Sequence, residues 1–152
     1  MQKVVWSKEF EIGIKVIDTQ HQRIVEYINQ LAEVEGQVGY DELAELINAL
    51  IDYTYSHFAF EEALMEEAGY EFLPVHMRTH QAFTDQINDL HRRFKQGEDV
   101  TEAISSLLRT WLINHIQEDD QCYAPAIQQK MGLISKKEEG NWLSNTLGRL
   151  FN

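Results

Sequence analysis

The stretch DELAELINALIDYTYSHFAFEEALMEEAG, residues 41–69, decides the fold class. Within it, apolar residues, and further along a threonine, a histidine and a glutamate, follow one another at steps of three or four residues. This is the period of one face of an amphipathic α-helix. The pattern ends before Gly69, a residue type that commonly terminates helices. The stretch therefore predicts one long helix whose core-facing stripe turns from apolar to polar along its length. The stripe consists of Leu43, Ile47, Leu50, Thr54, His57, Glu61 and Leu64.

Three further stretches repeat this helical period and are separated by Gly or Pro. We expect Asp18 to cap the first helix, and Pro74 suits the first turn of the third. The connections are only a few residues long, which forces neighbouring helices to run antiparallel. The sequence therefore predicts an all-α fold, an up-down-up-down four-helix bundle with an N-terminal arm and a short C-terminal helix. The three stretches cover residues 17–31, 74–97 and about 104–131.

The last residues are predicted to be a C-terminal amphipathic extension over residues 135–152, after a bundle domain over residues 1–134. A Gly-containing segment with two lysines and two glutamates, from 135 to 140, comes first, and Asn141 is a candidate helix cap. The extension has two open roles, as a fifth helix packed on the bundle or as a docking element for a protein partner or a membrane surface. Since Arg149 is the only basic residue beyond that segment, attraction to a membrane would be weak. The apolar face contains Trp142, Leu143, Leu147, Leu150 and Phe151.

The overall composition is that of a globular protein. Of its 152 residues, 43% are hydrophobic and 25% are charged, which argues against intrinsic disorder. The net charge of −12 repels phosphate backbones, so we expect no nucleic-acid partner. Cys122 is the only cysteine, which excludes an internal disulfide, and we expect it to be a small buried residue. Neither a signal peptide nor a membrane-spanning run is visible, so we expect a cytoplasmic location.

The informative feature is a layer of histidines on the core side of the predicted helices. Burying an imidazole or a carboxylate without a partner costs several kcal/mol, so a bundle core favours apolar residues. Counting residues from the turns, at about 1.5 Å per residue, places histidines from all four helices at about the same height. One buried histidine is most simply a hydrogen-bonded core residue, but a whole layer needs another explanation. The layer contains His21, His57, Glu61, His76, His80 and His115.

The spacing within the layer supports a shared site. The motifs HFAFE (57–61) and HMRTH (76–80) each place two polar side chains four residues apart, and therefore on one face of a helix. His115 has two acidic candidates beyond it, Asp119 four positions on and Asp120 five positions on. Helical geometry alone slightly favours Asp119, and the choice stays open at this point.

Such a donor set predicts a pair of transition-metal ions. Neutral imidazoles suit transition metals, whereas Ca²⁺ and Mg²⁺ sites consist mostly of oxygen ligands. Five histidines and two carboxylates are too many for one ion but fit two. If both carboxylates and an oxo or hydroxo group bridge the ions, one coordination position stays open for a small molecule such as O₂. The Glu-x-x-His spacing of four-carboxylate di-iron bundles is absent, and a single open position favours reversible binding over oxygen activation.

Four motifs in chain order resemble those of a known family. One H-x-x-x-E motif would be weak support, but four motifs at these separations are strong support. The chain resembles the hemerythrin family, in particular its single-domain members, the bacteriohemerythrins, and the similarity extends to Trp6. The motifs are DTQH (18–21), HFAFE (57–61), HMRTH (76–80) and HIQEDD (115–120).

The resemblance implies a non-haem centre of two iron ions, bridged by an oxo or hydroxo group, that binds O₂ reversibly and is not an enzyme. In the family pattern an aspartate follows the last histidine by five residues, which implies Asp120 rather than Asp119. The implied ligands are His76, His80 and His115 for the filled iron, His21 and His57 for the iron with the open position, and Glu61 and Asp120 as bridges. The implied lining of the O₂ pocket is Ile24, Phe58, Trp111, Leu112 and Ile116.

The function expected from this resemblance is oxygen storage, delivery or scavenging. Two alternatives stay open: oxygen or redox sensing through a partner, and peroxide or NO chemistry at the same di-iron site. Two residues outside the ligand set also carry predictions. We expect His91 to lie at the surface, and we expect Tyr123 to pack near the centre or to hydrogen-bond a bridging group.

Overall fold

The computed structural model describes residues 3–133 and 136–151, and the regular structure in these two ranges is helical. A short 3-10 turn, Lys8–Phe10, lies in the N-terminal arm. A π-helical segment, His115–Asp120, joins the fourth α-helix to the fifth. The α-helices are α1 (Lys15–Val34), α2 (Tyr40–Glu67), α3 (Leu73–Lys95), α4 (Thr101–Asn114), α5 (Gln121–Leu133) and α6 (Lys136–Phe151).

The first helices form the predicted four-helix bundle. Helix α1 packs against α2 and α4, and α3 packs against the same two helices, which closes a ring around one core. Helix α4, the π segment and α5 follow one another with helical backbone at Asn114 and Gln121, and together they form the fourth rod of the bundle. The all-α four-helix architecture is therefore confirmed. Its apolar core includes the fully buried Ile17, Ile28, Leu50, Ile87 and Ile104.

Asp18 holds the N-terminal arm rather than the end of a helix, so the predicted cap was wrong. Helix α1 begins one turn earlier, at Lys15. The Asp18 carboxylate accepts hydrogen bonds from the backbone N–H of Ile12, at 2.8 Å, and of Gly13, at 3.2 Å. Gly13 has a φ of +87°, and a Cβ there would lie 2.8 Å from Nε2 of Gln128. Only glycine fits this turn without strain.

The π segment changes which residues of the fourth rod share a face. In a regular α-helix a residue five positions on is rotated by about 140° from the first. A π turn, with hydrogen bonds between residues five apart, brings such residues closer in direction. Pro125 lies inside α5 and has no N–H to offer the carbonyl of Gln121, so regular bonding is interrupted after the segment as well. As a result His115 and Asp120 face the same interior layer, with Nε2 and Oδ1 3.0 Å apart.

Helix α6 lies on the bundle and packs against α2. The ring of Phe60 lies 6.3 Å from that of Trp142 and 6.2 Å from that of Phe151. The predicted start of this helix was wrong, because Gly140 and Asn141 lie inside it. Strong helix formers at residues 136–139, with Glu138 and Glu139 in the first turn, extend the helix toward its N-terminus. The division into a domain at 1–134 and an extension at 135–152 stays a prediction.

Two residues outside the bundle core complete the comparison with the sequence. Cys122 is exposed rather than buried, because it lies on the outer side of the fourth rod, where Sγ donates to the carbonyl of Glu118 at 3.2 Å. His91 lies at the surface as expected, with Nε2 2.7 Å from Oδ1 of Asn48. Across the described ranges, no helix combines the length and the apolar character that crossing a bilayer requires.

Candidate metal centre

Five histidines and two carboxylates meet in one layer at the middle of the bundle. Helix α1 supplies one of them, α2 and α3 supply two each, and the π segment supplies the last two. All seven side chains are almost completely buried, with at most 5% of any residue exposed. The structure thus brings together every residue that the sequence predicted as a ligand: His21, His57, Glu61, His76, His80, His115 and Asp120.

The layer divides into two clusters that share one residue. In each cluster, one nitrogen or oxygen atom per residue lies within 4.8 Å of the corresponding atom of every other member. This separation suits donor atoms arranged around a single ion. The three-histidine cluster contains His76, His80, His115 and Glu61, and the two-histidine cluster contains His21, His57, Glu61 and Asp120.

Glu61 faces both clusters, one oxygen toward each. Its Oε1 lies 2.8 Å from Nε2 of His57 and 3.3 Å from Nε2 of His21. Its Oε2 lies 3.1 Å from Nε2 of His80 and 3.5 Å from Nε2 of His76. A carboxylate divided in this way is placed to bridge two ions.

Asp120 is divided between the clusters in the same manner. Its Oδ2 lies 3.1 Å from Nε2 of His21, and its Oδ1 lies 3.2 Å from Nε2 of His76 and 3.0 Å from Nε2 of His115. Asp119 stays outside, with 43% of its side chain exposed, and accepts a hydrogen bond from Nδ1 of His115 at 2.8 Å. The structure therefore separates the two acidic candidates that spacing alone left open.

The donor atoms fit metal ions better than they fit one another. Nε2 of His57 and of His76, Oε2 of Glu61 and both carboxylate oxygens of Asp120 are buried and make no hydrogen bond, although neighbours lie close. Nε2 of His80 and Nε2 of His115 face each other at 3.0 Å. Buried polar atoms without partners are rare in folded proteins, and an ion between these atoms would satisfy them together. The donor chemistry, mostly imidazole with two carboxylates, is that of a transition metal.

Three of the five histidines are held from outside by a hydrogen bond at Nδ1. Gln20 Oε1 lies 2.7 Å from Nδ1 of His57, and Glu62 Oε1 lies 3.2 Å from Nδ1 of His80. Asp119 does the same for His115. Such partners keep the proton on Nδ1 and leave Nε2 free to bind metal. Nδ1 of His21 is buried without a partner.

Sequence reasoning missed the outer roles of Gln20 and Glu62. Each is the chain neighbour of a predicted ligand, His21 and Glu61 respectively, and both carry a side-chain oxygen. Adjacency to a ligand motif was the available signal. It does not say which histidine on a neighbouring helix the side chain will reach, because that depends on the crossing of the helices.

Tyr123, on α5 just after the π segment, also contacts the centre. Its side chain is fully buried, and its hydroxyl donates to Oε1 of Glu61 at 3.2 Å. Burial and the nearby charge of Glu61 raise the pKa of this phenol well above its usual value, so it stays a donor. The expectation that Tyr123 packs near the centre is therefore confirmed, through its hydrogen bond to Glu61.

The charges in the layer balance through shifted protonation when no metal is bound. Burial lowers the pKa of His57. Burial acts in the same direction on His21, His76 and His115, but the Asp120 and Glu61 carboxylates outweigh it and raise their pKa values to about 9, 9 and 11. Asp119, hydrogen-bonded to His115, adds to the rise at that residue. In the metal-free chain at neutral pH, these three protonated imidazoles therefore offset the charges of Glu61, Asp120 and Asp119.

The residues predicted to line an O₂ pocket are apolar neighbours of the layer. Phe58 stacks on His80, with ring centroids 3.9 Å apart, and Trp111 stacks on His115 at 4.3 Å. Trp111 is half-buried. The other three are buried side chains of the first and fourth rods, which also carry ligands: Ile24, Leu112 and Ile116.

Comparison with known proteins places this centre in a family. The sequence model described as "Hemerythrin HHE cation binding domain" matches residues 12–127. The chain belongs to the hemerythrin family. It is 45% identical to a bacteriohemerythrin of Pseudomonas aeruginosa (strain LESB58), with 99% of each chain covered.

More distant relatives match the bundle. A bacteriohemerythrin of Methylococcus capsulatus is 31% identical, with 84% of this chain and 98% of that protein covered. The myohemerythrin of Riftia pachyptila is 30% identical over 78% of this chain and 89% of its own. A solved structure of wild-type hemerythrin superposes with a TM-score of 0.77 at 30% identity, covering 82% of this chain and 97% of its own.

Proposed function

We propose that the seven-residue layer holds two iron ions and that the protein binds O₂ reversibly. His76, His80 and His115 hold one ion, His21 and His57 hold the other, and Glu61 and Asp120 bridge them. The observation that carries this proposal is the sharing of Glu61 between two clusters, with one oxygen facing each. An oxo or hydroxo bridge between the ions would complete the set. Membership of the hemerythrin family supports iron as the metal.

Residues of the chain would position the two ions and orient their ligands for O₂ binding. Two ferrous ions in this layer would supply electrons and one open coordination position, on the side of the two-histidine cluster. The carboxylates fix the separation of the ions, and Gln20, Glu62 and Asp119 orient the imidazoles from outside. Tyr123 holds Glu61 in place through its hydroxyl.

Apolar side chains keep water and protons away from the open position. Phe58 and Trp111 stack on histidines of the three-histidine cluster, and the ring of Phe58 also lies 6.0 Å from that of His57 in the other cluster. We assign the lining of the open position to Phe58, Trp111, Ile24, Leu112 and Ile116. Excluding protons favours release of O₂ as O₂ rather than as a reduced product. A reversible carrier is therefore proposed in preference to a peroxide-, NO- or O₂-consuming enzyme.

In the cell we propose oxygen storage, delivery or scavenging in the cytoplasm. One exposed cysteine and an acidic chain of net charge −12 are compatible with that compartment. The bundle at 1–134 would be the oxygen-binding unit. The extension at 135–152 is the proposed place for contact with a protein partner, such as one that would read the oxygenation state.

The test combines iron quantitation with an optical titration of the reduced protein by O₂. We expect two irons per chain, a stable oxygenated spectrum, and recovery of the starting spectrum under vacuum. Steady O₂ consumption with an added reductant would instead support an enzyme. A protein grown with ample iron that contains no metal, or one ion per chain, would contradict the proposal.

A further inference from the structure

A surface groove reaches the metal centre between the start of α3 and the fourth rod. Its volume is about 420 Å³. The turn before α3, the first turns of α3, the π segment and the start of α5 line it. His76 lies at its inner side and, with 5% of the residue exposed, is the most exposed of the seven side chains in the layer. One imidazole ring therefore separates the groove from the centre.

The two clusters differ in how close they come to the surface. His21 and His57 of the two-histidine cluster are completely buried. His76, His80 and His115 of the three-histidine cluster each keep a small exposed fraction. Electron transfer slows steeply as the gap between two redox groups widens. An electron from outside therefore has its shortest path to the three-histidine cluster, on the side away from the proposed open position.

Exposed apolar side chains lie at the edge of the groove. Phe72 and Val75 both line it, and more than half of each residue is exposed. The ring of Phe72 lies 5.8 Å from that of Tyr70, which is half-buried beside it. Adjacent exposed apolar side chains within a polar surface are typical of contact sites for other proteins.

Carboxylates surround this apolar patch. Asp119 lines the groove with 43% of its side chain exposed. Burial raises the pKa of Tyr70, and Cys122, Glu71 and Asp119 add to the rise, which places both carboxylates beside the patch. The described residues that line the groove include no lysine or arginine. An apolar patch with an acidic rim is complementary to a protein that carries an apolar patch with a basic rim.

A second groove reaches the layer at His80 but lacks this charge preference. Both Glu62 and Arg78 line it, so carboxylate and guanidinium groups offset each other there. The groove at His76 is therefore the better match for a basic partner.

We propose that the groove at His76 is the docking site of a small electron-transfer protein that carries a basic rim around its redox group. The inference rests on the proposed pair of irons and concerns the return of oxidised ions to the ferrous state. Each docked partner is oxidised by one electron, which passes His76 and reduces one ferric ion, so two partners reduce both ions. The contact lies on the side of the three-histidine cluster and is separate from the C-terminal extension.

The probe is cytochrome c, a small protein with lysines around an exposed haem edge, which carries one electron. The test runs the transfer in reverse. Without O₂, each ferrous ion of the reduced protein should give one electron to a ferric haem, so that one chain reduces two cytochromes. Haem absorbance in a stopped-flow instrument measures the rate. Because the charges are complementary, the rate constant should fall about tenfold or more between roughly 10 mM and 200 mM salt.

Substitutions at the edge of the groove test both parts of the surface. Glu71→Lys reverses a charge of the rim, and Phe72→Ser shortens the apolar patch at a position that suits a helix cap. Each should slow the transfer and weaken binding about 3–10-fold at low salt. Glu45→Lys makes the same charge change at an exposed site near the start of α2, at the opposite end of that helix. It should behave as the wild type does. Binding is measured by calorimetry with both proteins oxidised.

Cys122 allows the groove to be blocked without a substitution. It is the only cysteine of the chain, it is exposed, and it lines the groove, so a bulky maleimide attaches there alone. The label should slow cytochrome reduction about tenfold or more, since it obstructs docking. In the control, the double variant Cys122→Ser, Glu45→Cys carries the same label at the far end of α2 and should react as the unlabelled protein does.

Unchanged binding and unchanged rates in labelled wild type and in Glu71→Lys would overturn the docking site. A dimer in analytical ultracentrifugation that Phe72→Ser dissociates would assign the patch to a second copy of this chain and would also overturn it. The binding assay needs neither O₂ nor ferrous iron, so its failure is distinguishable from failure of reversible O₂ binding.

Discussion

At the scale of single residues, the two clusters differ in what supports their histidines. In the three-histidine cluster, the carboxylates of Glu62 and Asp119 accept hydrogen bonds from His80 and His115. In the two-histidine cluster, the outer acceptor found within residues 3–133 and 136–151 is the neutral amide of Gln20. A carboxylate acceptor makes an imidazole a stronger ligand than an amide does. We therefore expect the three-histidine cluster to bind its ion more tightly.

Removing these outer carboxylates should weaken that cluster selectively. Glu62→Gln and Asp119→Asn each keep the shape of the side chain, and each should lower the affinity of one ion about 10–100-fold. Stepwise anaerobic titration of metal-free protein with Fe(II) measures this. Asp85→Asn is the control, because Asp85 accepts a hydrogen bond from Gln81 at the exposed surface of α3, away from the metal ligands. Equal affinities in all four proteins would show that the outer bonds do not tune the ions.

Removing ligands should lower the iron content by steps. Glu61→Ala removes the residue common to both clusters and should lose both ions, whereas His57→Ala should keep the ion of the three-histidine cluster. His91→Ala, at a surface histidine, should retain both. Iron per chain is measured by elemental analysis, with circular dichroism to confirm folding. Full iron retention by folded Glu61→Ala would contradict the assignment of that residue as a bridge.

At the scale of elements, hydrophobic periodicity was enough to predict four helices and their antiparallel order. It was also enough to bring His21, His57, His80 and His115 to one level, because the rise per residue is fixed. Periodicity could not reveal the π segment, since an α-helix and a π turn differ only in which carbonyl each N–H reaches. For that reason spacing favoured Asp119, and the resemblance to a family was needed to favour Asp120.

The C-terminal helix shows a second limit of sequence patterns. Its apolar face, with Leu143 and Leu147, was visible in the sequence, but the cavity of about 710 Å³ between it and the bundle was not. A cavity depends on the distance between packed helices, and the hydrophobic periodicity of a single helix does not determine that distance. The exposure of Cys122 was missed for a related reason, because its direction follows from the phase of the π segment.

Truncation after residue 134 should destabilise the bundle without removing its metal centre. The loss of α6 uncovers Phe60, which is fully buried against Trp142 and Phe151. We expect the free energy of unfolding to fall by roughly 1–3 kcal/mol, since regained chain entropy offsets part of the lost burial. Urea denaturation of the metal-free protein measures this, with Arg149→Gln on the exposed side of α6 as the control. An unchanged midpoint in the truncated chain would show that α6 does not stabilise the bundle.

At the scale of the whole molecule, the metal centre ties the four rods of the bundle together. Each rod contributes at least one of the seven buried side chains. Without metal, protonated imidazoles in the same layer offset the charge of the carboxylates. Carboxylate neighbours raise the pKa of His21 and His76 to about 9. Metal binding and protonation therefore compete for one set of atoms in the centre of the protein.

Iron loading should release protons, and the affinity should fall as the pH falls. The folded-state pKa values of His21, His76 and His115 lie above the unfolded value of 6.5, so the metal-free chain holds these protons at pH 7.5. By the same sign, the stability that they give the metal-free chain is full below pH 6.5. It is lost as the pH rises through about 9 for His21 and His76 and through about 11 for His115. Calorimetric Fe(II) titrations in two buffers of different ionisation enthalpy measure the release. Identical heats in both buffers would contradict it.

The π segment also sets the register of everything that follows it along the fourth rod. Tyr123 reaches Glu61 only because the π segment His115–Asp120 sets the direction in which later side chains of this rod leave the helix axis. Deleting or inserting one amino acid between these points would swing the phenol by about 100° and point it at solvent or at a neighbouring rod. Between the site residues of this stretch, substitutions are therefore easier to tolerate than insertions or deletions.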